Sequence, residues 1–313
     1  MPRAQIETGA VIGSGMMGPG IAGALALGGV RTVILSRTEE GAARGLKKAL
    51  AQLALLEENG LAQTQQAKEL LSASARLEET VAGAGIVIES APENMEFKQD
   101  LFARLDAIAL PDAVLASNTS GLSITAIASK CKRPERVMTT HFWNPPHLMP
   151  LVEIVCGEKT DLALAEEVKQ LLVKCGKVPV LVRKDRPGQL GNRMQMALVR
   201  EAINIVQEGI ADAGDVDLAV KTGFGMRLPV YGVLEHQDIV GLDLGCSVVD
   251  YVTRDLNNEP GMPRLARELL AQGHLGVKTG KGYYDWSKKD AEAIKARRDK
   301  FLLEFLKRWK PGE

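Results

Sequence analysis

The chain has 313 residues, about twice the length of a typical domain, so two domains are expected. Its 39 lysines and arginines balance 39 aspartates and glutamates, which excludes the strong net charge that would draw it to nucleic acid or an anionic membrane. Hydrophobic residues at 45% and charged residues at 25% are the usage of a folded globular protein. The four cysteines lie far apart in sequence, and no apolar run of membrane-spanning length or secretory core occurs. We therefore expect a cytoplasmic protein with no metal site and no membrane span.

The first half of the chain alternates short β-rich runs with helical stretches such as Ala42–Glu57 and Met95–Ile108. This alternation predicts an α/β fold with a doubly wound, largely parallel sheet. The candidate strands are Gly9–Ile12, Arg31–Ser36, Ile86–Ala91, Ala113–Asn118, Val137–Phe142, Leu151–Val155 and Val178–Val182.

The β-rich runs stop after Val182, and the segment Lys184-Asp-Arg-Pro-Gly has the turn residues of a domain boundary. Residues 1–187 therefore form the predicted sheet domain, and residues 188–313 form an all-α second domain. Its candidate helices are Gln189–Gly209, Asp215–Lys221, a long helix within Gly232–Leu256, Arg264–Gln272 and Asp290–Trp309.

A glycine-rich turn directly follows the first candidate strand. Gly13, Gly15 and Gly18 have the G-x-G-x-x-G spacing, and the alanine-rich helical stretch Ile21–Leu27 comes next. In this setting the first glycine permits a tight turn, the second lets a pyrophosphate approach the backbone, and the third lets the helix pack on the strand. The turn therefore predicts a dinucleotide cofactor.

The end of the second candidate strand bears on which dinucleotide is bound. An acidic residue at this position binds the adenosine ribose of NAD, but this chain has Ser36 and Arg37 there. Arg37 could pair with a 2′-phosphate, which favours NADP, or it could stack on the adenine or point to solvent. The residues leave NAD and NADP open.

A histidine and a glutamate stand on two neighbouring candidate strands. His141 lies near the end of the run from Val137, a Pro-Pro turn follows, and Glu153 lies inside the apolar run from Leu151. A carboxylate in an apolar strand needs a partner, and the turn can fold Glu153 against His141. Such a pair fixes the imidazole tautomer and raises its basicity, so His141 is the candidate general base.

Five segments in their order and spacing resemble the 3-hydroxyacyl-CoA dehydrogenase superfamily over nearly the whole chain. They are the Val-Ile-Gly-Ser-Gly-Met-Met-Gly turn, Ser-Asn-Thr-Ser-Gly-Leu-Ser-Ile-Thr, His-Phe-Trp-Asn-Pro-Pro with Leu-Val-Glu, Pro-Gly-x-x-x-Asn-Arg, and Gly-Val-Lys-Thr-Gly-Lys-Gly-Tyr-Tyr. The resemblance implies a Rossmann domain followed by a helical domain that forms a homodimer contact.

The resemblance also implies roles for individual residues. His141 matches the general base, Glu153 its orienting partner, and Ser120 and Asn192 the polar residues that hold the reacting oxygen. The positions that match contacts to the nicotinamide cofactor are Glu93, Lys98, Asn144 and, near the carboxyl terminus, Lys278.

Two departures from the CoA-using members concern the substrate. Glu57 and Glu58 stand where those members carry lysines for the nucleotide end of CoA. The segment Gly-Phe-Gly-Met-Arg227 resembles the gulonate 3-dehydrogenase and λ-crystallin branch, and Arg227 could bind a free substrate carboxylate or be a surface arginine. Asn-Pro-Pro-His together with Gly-Glu-Lys-Thr160 also resembles bacterial members that act on pyridine alcohols.

The sequence therefore predicts an NAD(P)-dependent dehydrogenase that interconverts a secondary alcohol and a ketone, with a small free 3-hydroxy acid as the favoured substrate. One alternative is an L-3-hydroxyacyl-CoA dehydrogenase that acts on a CoA thioester. Another is a dinucleotide-binding structural protein without turnover, as lens λ-crystallin is, although the intact catalytic set argues against it.

Overall fold

The computed structural model describes residues 6–309, and the chain divides into two compact units. Of the described residues, the first unit contains 6–192 together with 297–309, and the second contains Arg193–Ala296. No helix in the described part of the chain is both long and apolar enough to cross a membrane.

The first unit is built on one eight-stranded sheet, in the spatial order β3-β2-β1-β4-β5-β6-β7-β8. Every neighbouring pair is parallel except β6 and β7, which form an antiparallel hairpin. The strands are β1 (Thr8–Ile12), β2 (Arg31–Leu35), β3 (Leu71–Ser74), β4 (Ile86–Glu89), β5 (Val114–Ser117), β6 (Val137–Phe142), β7 (Leu151–Cys156) and β8 (Val178–Val182).

Helices cover both faces of this sheet. Successive strand residues contribute to two separate buried clusters, with Val11 and Ile88 in one and Ala10 and Val87 in the other, because side chains alternate between the faces of a strand. The helices are α1 (Gly18–Leu27), α2 (Glu39–Glu58), α3 (Gln65–Glu69), α4 (Leu77–Ala82), α5 (Met95–Ile108), α6 (Ile124–Ile127) and α7 (Leu162–Lys174). The predicted doubly wound fold is thus confirmed.

The rest of the chain is helical, as predicted. Among the residues described after Val182, only isolated β-bridges at Gly276, Lys281 and Asp285 depart from the pattern of helices and turns. The helices are α8 (Gly191–Gln207), α9 (Ala213–Thr222), α10 (Val233–Val240), α11 (Leu242–Val252), α12 (Arg264–Ala271) and α13 (Ala291–Arg308).

Among the differences from the sequence prediction, three have a clear local cause. Strand β3 was missed, because its four residues Leu-Ser-Ala-Ser carry little β propensity. Helix α2 begins three residues earlier than predicted, since the Thr38 hydroxyl accepts a hydrogen bond from the Gly41 amide and caps it. The predicted long helix within 232–256 is two helices, because Gly241 between them has a φ of 98°, which a helix cannot contain.

Candidate active site

The hairpin of β6 and β7 brings the predicted histidine and glutamate together. His141 and Glu153 are direct cross-strand partners, and the imidazole Nδ1 lies 2.7 Å from the carboxylate Oε2. Both side chains are buried, with 5% of His141 and none of Glu153 exposed to solvent. The register of the hairpin therefore brings Glu153 into contact with His141, as its position in an apolar strand had predicted.

The Glu153 carboxylate accepts hydrogen bonds from four donors. The Trp143 indole Nε1 donates to Oε2 at 2.9 Å, and the backbone amides of Leu190 and Gly191 donate to Oε1 at 3.0 and 2.9 Å. The fourth contact is the one to His141. Burial alone would raise the pKa of this carboxyl, but the hydrogen bonds outweigh burial and lower its pKa to about 2. Glu153 is therefore an anion throughout the physiological range.

An anionic Glu153 determines which nitrogen of His141 carries the proton. Because the carboxylate can only accept, Nδ1 of the imidazole must donate to it. The neutral ring then presents Nε2 as a free acceptor for a substrate proton, and the imidazolium formed by proton uptake stays paired with the carboxylate. The pair thus has the geometry of a general base with its orienting anion.

Ser120 and Asn192 also lie next to each other. The Asn192 side-chain Nδ2 donates to the Ser120 carbonyl at 2.8 Å. On the other side, the Ser120 amide donates to Oε1 of Glu93 at 3.1 Å, and the Thr119 hydroxyl donates to the same oxygen. The backbone of Ser120 is thereby held at both its amide and its carbonyl, while the residue itself is exposed.

Lys98 lies in a buried charge network beside this loop. Its ammonium is 2.6 Å from Glu89 Oε1 and 3.5 Å from Glu93 Oε2. Glu89 is fully buried and also accepts from the Ser117 hydroxyl at 2.6 Å and the Ala91 amide at 2.5 Å. Glu89 at the end of β4 therefore connects Lys98 to the end of β5, where the loop with Ser120 begins.

The glycine turn has the shape of a nucleotide cradle. Gly13 has a φ of 118°, and a Cβ there would lie 2.4 Å from the Ser90 carbonyl oxygen. A Cβ on Gly18 would lie 1.7 Å from the carbonyl oxygen of Gly13, whereas a Cβ on Gly15 would have no atom within 4 Å. The packing of the turn itself thus requires residues without a side chain at Gly13 and Gly18, whereas Gly15 leaves its backbone open to a ligand.

The end of β2 lies beside this turn. The Ser14 hydroxyl donates to the Ser36 hydroxyl at 3.0 Å, which fixes Ser36 close to the glycine turn. Arg37 is exposed, and so is Asn144 in the turn that follows β6. The structure therefore brings Ser36 to the cradle but leaves the side chain of Arg37 in solvent.

The two remaining predicted positions are in the second unit. Arg227 follows a short 3-10 turn, Phe224–Met226, and its carbonyl accepts from the Val230 amide at 2.9 Å. Both Arg227 and Lys278 are exposed. In the first unit, Glu57 at the end of α2 pairs with Lys68 at 2.6 Å, so part of the negative charge expected there is neutralised.

Glu89, Trp143 and Gln189 are among the residues of the site that were not singled out from the sequence. Glu89 carries the same signal as Glu153, an acidic residue within an apolar strand, and could have been found by that argument. Trp143 and Gln189 carried no such signal. Gln189 is buried, has a φ of 55°, and donates from Nε2 to the Thr119 carbonyl at 2.8 Å.

A Rossmann-type sheet with a glycine cradle and a buried histidine–glutamate pair defines a nicotinamide-dependent dehydrogenase. Residues 8–186 match the family model described as the NAD-binding domain of 3-hydroxyacyl-CoA dehydrogenase, and residues 188–286 match its C-terminal domain. The chain belongs to the 3-hydroxyacyl-CoA dehydrogenase family.

Similar proteins include both free-acid and CoA enzymes. The chain is 33% identical to 5-formyl-3-hydroxy-2-methylpyridine 4-carboxylate 5-dehydrogenase of Mesorhizobium japonicum, over 94% of this chain and 95% of that one. It is 39% identical to a probable 3-hydroxybutyryl-CoA dehydrogenase of Bacillus subtilis, over 89% and 97%.

A solved structure gives a further comparison. A crystal structure of the same pyridine-carboxylate activity, described as an NAD⁺-dependent dismutase, matches with a TM-score of 0.91 at 32% identity and covers 98% of this chain and 100% of that one. Together with the family match, these similarities show a dehydrogenase that acts on hydroxyl groups and has an NAD-binding domain.

Proposed function

We propose that this enzyme oxidises the secondary alcohol of a small free hydroxy acid to the ketone, and catalyses the reverse reduction, with His141 as the general base. The observation that carries the proposal is the buried His141–Glu153 pair at 2.7 Å, since it supplies a base whose acceptor nitrogen is fixed. When bound, the nicotinamide supplies the hydride acceptor. The glycine cradle and the open face of Gly15 fit such a dinucleotide.

In this proposal four residues of the first unit have separate roles in the reaction. His141 takes the hydroxyl proton on Nε2, and Glu153 stabilises the imidazolium that results. Ser120 and Asn192, held together by their hydrogen bond, bind the reacting oxygen. Because water is excluded from the buried histidine–glutamate pair, the attraction between the imidazolium and the carboxylate is stronger than it would be in water.

The cofactor contacts are assigned in the same way. The turn that contains Gly13, Gly15 and Gly18 binds the pyrophosphate at the open backbone of Gly15, and Ser36 with Arg37 face the adenosine ribose. At the other end Glu93, Lys98 and Asn144 contact the nicotinamide ribose and carboxamide, and Lys278 is a weaker contact. NAD is favoured by the NAD⁺-dependent relative, and the lack of a carboxylate at Ser36 leaves room for NADP.

Arg227 supports the free-acid substrate. An exposed guanidinium can bind a carboxylate with two parallel hydrogen bonds, and the pyridine relative's named substrate carries a free carboxylate. The alternative, an L-3-hydroxyacyl-CoA, is favoured by the 39% identity to the Bacillus enzyme and by the pairing of Glu57 with Lys68, which weakens repulsion of the CoA nucleotide.

We further propose a homodimer through the helical half of the chain. Large apolar side chains of the second unit are strongly exposed, with Leu234 80%, Tyr251 81% and Val230 78% accessible. Exposed apolar surface of this kind is typical of association faces. Light scattering should then give twice the mass of one 33.7 kDa chain.

The proposed reaction is tested by steady-state kinetics at the absorbance of the reduced nicotinamide, with short 3-hydroxy and 3-oxo acids and acetoacetyl-CoA as substrates. His141→Ala should lower turnover by roughly 10²–10⁴, with the dissociation constant of the dinucleotide unchanged. Wild-type turnover in this variant would refute the assigned base.

The substrate class is tested with Arg227→Met. For a free acid the variant should lose about 1.5–3 kcal/mol of substrate binding, because a charge-assisted pair is removed. Acetoacetyl-CoA has no carboxylate at its acyl head, so its reduction should be indifferent to the change. Efficient wild-type turnover of acetoacetyl-CoA that does not depend on Arg227 would establish the CoA alternative.

A further inference from the structure

We infer that Trp143 is a positioning residue: its indole shares one oxygen of Glu153 with His141, and so sets how tightly the carboxylate holds the imidazole. The inference rests on the proposed roles of His141 and Glu153 in the reaction. It adds to them a residue that contacts neither the reacting oxygen nor the cofactor cradle in the assignment above.

The shared oxygen is the first part of the argument. Oε2 of Glu153 accepts from Nδ1 of His141 at 2.7 Å and from Nε1 of Trp143 at 2.9 Å. The two rings lie with their centroids 5.6 Å apart and tilted by 50°, so they approach Oε2 side by side. Oε1 is already bonded to the two backbone amides of the 190–191 segment. Neither oxygen therefore serves the imidazole alone.

The position of the indole is fixed by packing. A Cβ on Gly191 would lie 2.5 Å from Cζ2 of Trp143 and 3.3 Å from its Cη2, so the six-membered ring of the indole lies against the backbone of this glycine. Gly191 donates its own amide to Glu153. Trp143 and Gly191 thus pack against each other beside the carboxylate to which both donate a hydrogen bond.

The second donor has a defined chemical effect. Each N–H that bonds to a carboxylate oxygen takes up part of its negative charge, so less remains to stabilise an imidazolium at the same oxygen. The indole therefore limits the hold of Glu153 on protonated His141 and favours return of the proton. The groups that contact the carboxylate are the imidazole from β6, the indole and two backbone amides, and of these the imidazole is the one that can take up a proton and become a cation.

The test is Trp143→Phe, which keeps an aromatic side chain at this position, removes the N–H donor and removes part of the ring that packs against Gly191. For oxidation of the alcohol, the pH below which kcat/KM falls should rise by about half to one pH unit, because the carboxylate holds the imidazolium more tightly. The dissociation constant for NAD and the far-UV circular dichroism should stay at wild-type values. Trp286→Phe, in the second unit, is the matched control and should leave the pH profile in place.

A folded Trp143→Phe whose acid-side inflection does not move overturns the inference. So does a variant whose substrate KM changes while that inflection stays, since the indole would then contact the substrate. If the variant does not fold, the indole N–H resonance of Trp143 is followed in the wild-type enzyme. It should shift with the same midpoint as the acid-side loss of activity, and a resonance that does not titrate overturns the inference.

The experiment separates this inference from the proposed function. If His141→Ala keeps wild-type turnover, the assigned base is wrong and the role of Trp143 falls with it. If His141→Ala is inactive but the inflection in Trp143→Phe is unmoved, the base stands and only the inference about the indole is refuted.

Discussion

Replacing Glu153 with glutamine changes one atom of the site, and the structure predicts a large effect. The carboxylate accepts two hydrogen bonds on each oxygen, whereas glutamine offers one carbonyl oxygen and one amino group. Whichever way the amide is oriented, its amino group faces two N–H donors. Facing the backbone amides, it leaves Leu190 and Gly191 without an acceptor. Facing the rings, it leaves the indole of Trp143 unpaired, even if His141 changes tautomer.

The expected cost follows from those donors. A buried donor without an acceptor costs about 1–3 kcal/mol, and the hydrogen bonds that remain lose their charge assistance, so Glu153→Gln should lower the free energy of unfolding by about 2–4 kcal/mol. The same hydrogen bonds lower the pKa of Glu153 from an ordinary 4.5 to about 2, which is a stabilisation of the same order of magnitude. Turnover should fall by roughly 10²–10⁴, because an imidazole that accepts on Nδ1 carries its proton on Nε2 and cannot act as base.

The pH dependence of this effect has a definite sign. Because the pKa of folded Glu153 lies below its unfolded value, the carboxylate stabilises the fold fully above about pH 4.5, and this contribution is lost as the pH falls toward 2. Urea unfolding of both proteins, followed by circular dichroism, should show a smaller difference at pH 3.5 than at pH 7. Glu58→Gln, at an exposed carboxylate, is the control and should unfold like the wild type. Unchanged stability and turnover in Glu153→Gln would refute the four-donor arrangement.

Two further predictions concern the cofactor site. Gly15→Ala should keep the wild-type melting temperature but bind the dinucleotide at least about tenfold more weakly, because its Cβ enters the open cradle. Gly18→Ala should have a lower melting temperature even without ligand, since its Cβ would meet the Gly13 carbonyl. Equal melting temperatures for the two variants would contradict this assignment. Ser36→Asp should shift the ratio of catalytic efficiencies toward NAD, because a carboxylate there accepts the ribose hydroxyls and repels a 2′-phosphate; a wild-type enzyme that already ignores NADP would show that Arg37 does not bind that phosphate.

Local signals predicted the parts of the site that lie on neighbouring strands. The β-rich runs of β6 and β7 and the Pro-Pro turn between them were enough to predict that Glu153 lies against His141, because a hairpin fixes its register locally. The glycine spacing located the cradle for a similar reason, since the whole turn lies within one short segment. Glu89 follows the same rule as Glu153, but its partner Lys98 lies on helix α5 and not on a neighbouring strand, so strand pairing alone does not bring the two together.

The donors around Glu153 could not be predicted in this way. Leu190 and Gly191 reach the carboxylate from 37 and 38 residues further along the chain. Their amides carry no signal in a one-letter sequence, since every residue except proline has one. The break at Gly241 is a related case, because glycine inside a helical pattern is compatible with both a continuous and an interrupted helix.

The return of the chain to Glu153 has a consequence for exchanging parts among relatives. The boundary between the two domain models of the family lies at residues 186 to 188. A chimaera joined there would take its second domain from another enzyme. That half would bring its own residues to positions 190 and 191, which supply two of the four hydrogen bonds to Glu153, and its own side chain beneath the indole of Trp143. A join placed after Asn192 keeps these contacts within one parent. Hybrids joined there should therefore keep a working His141–Glu153 pair from the enzyme that supplies the sheet domain.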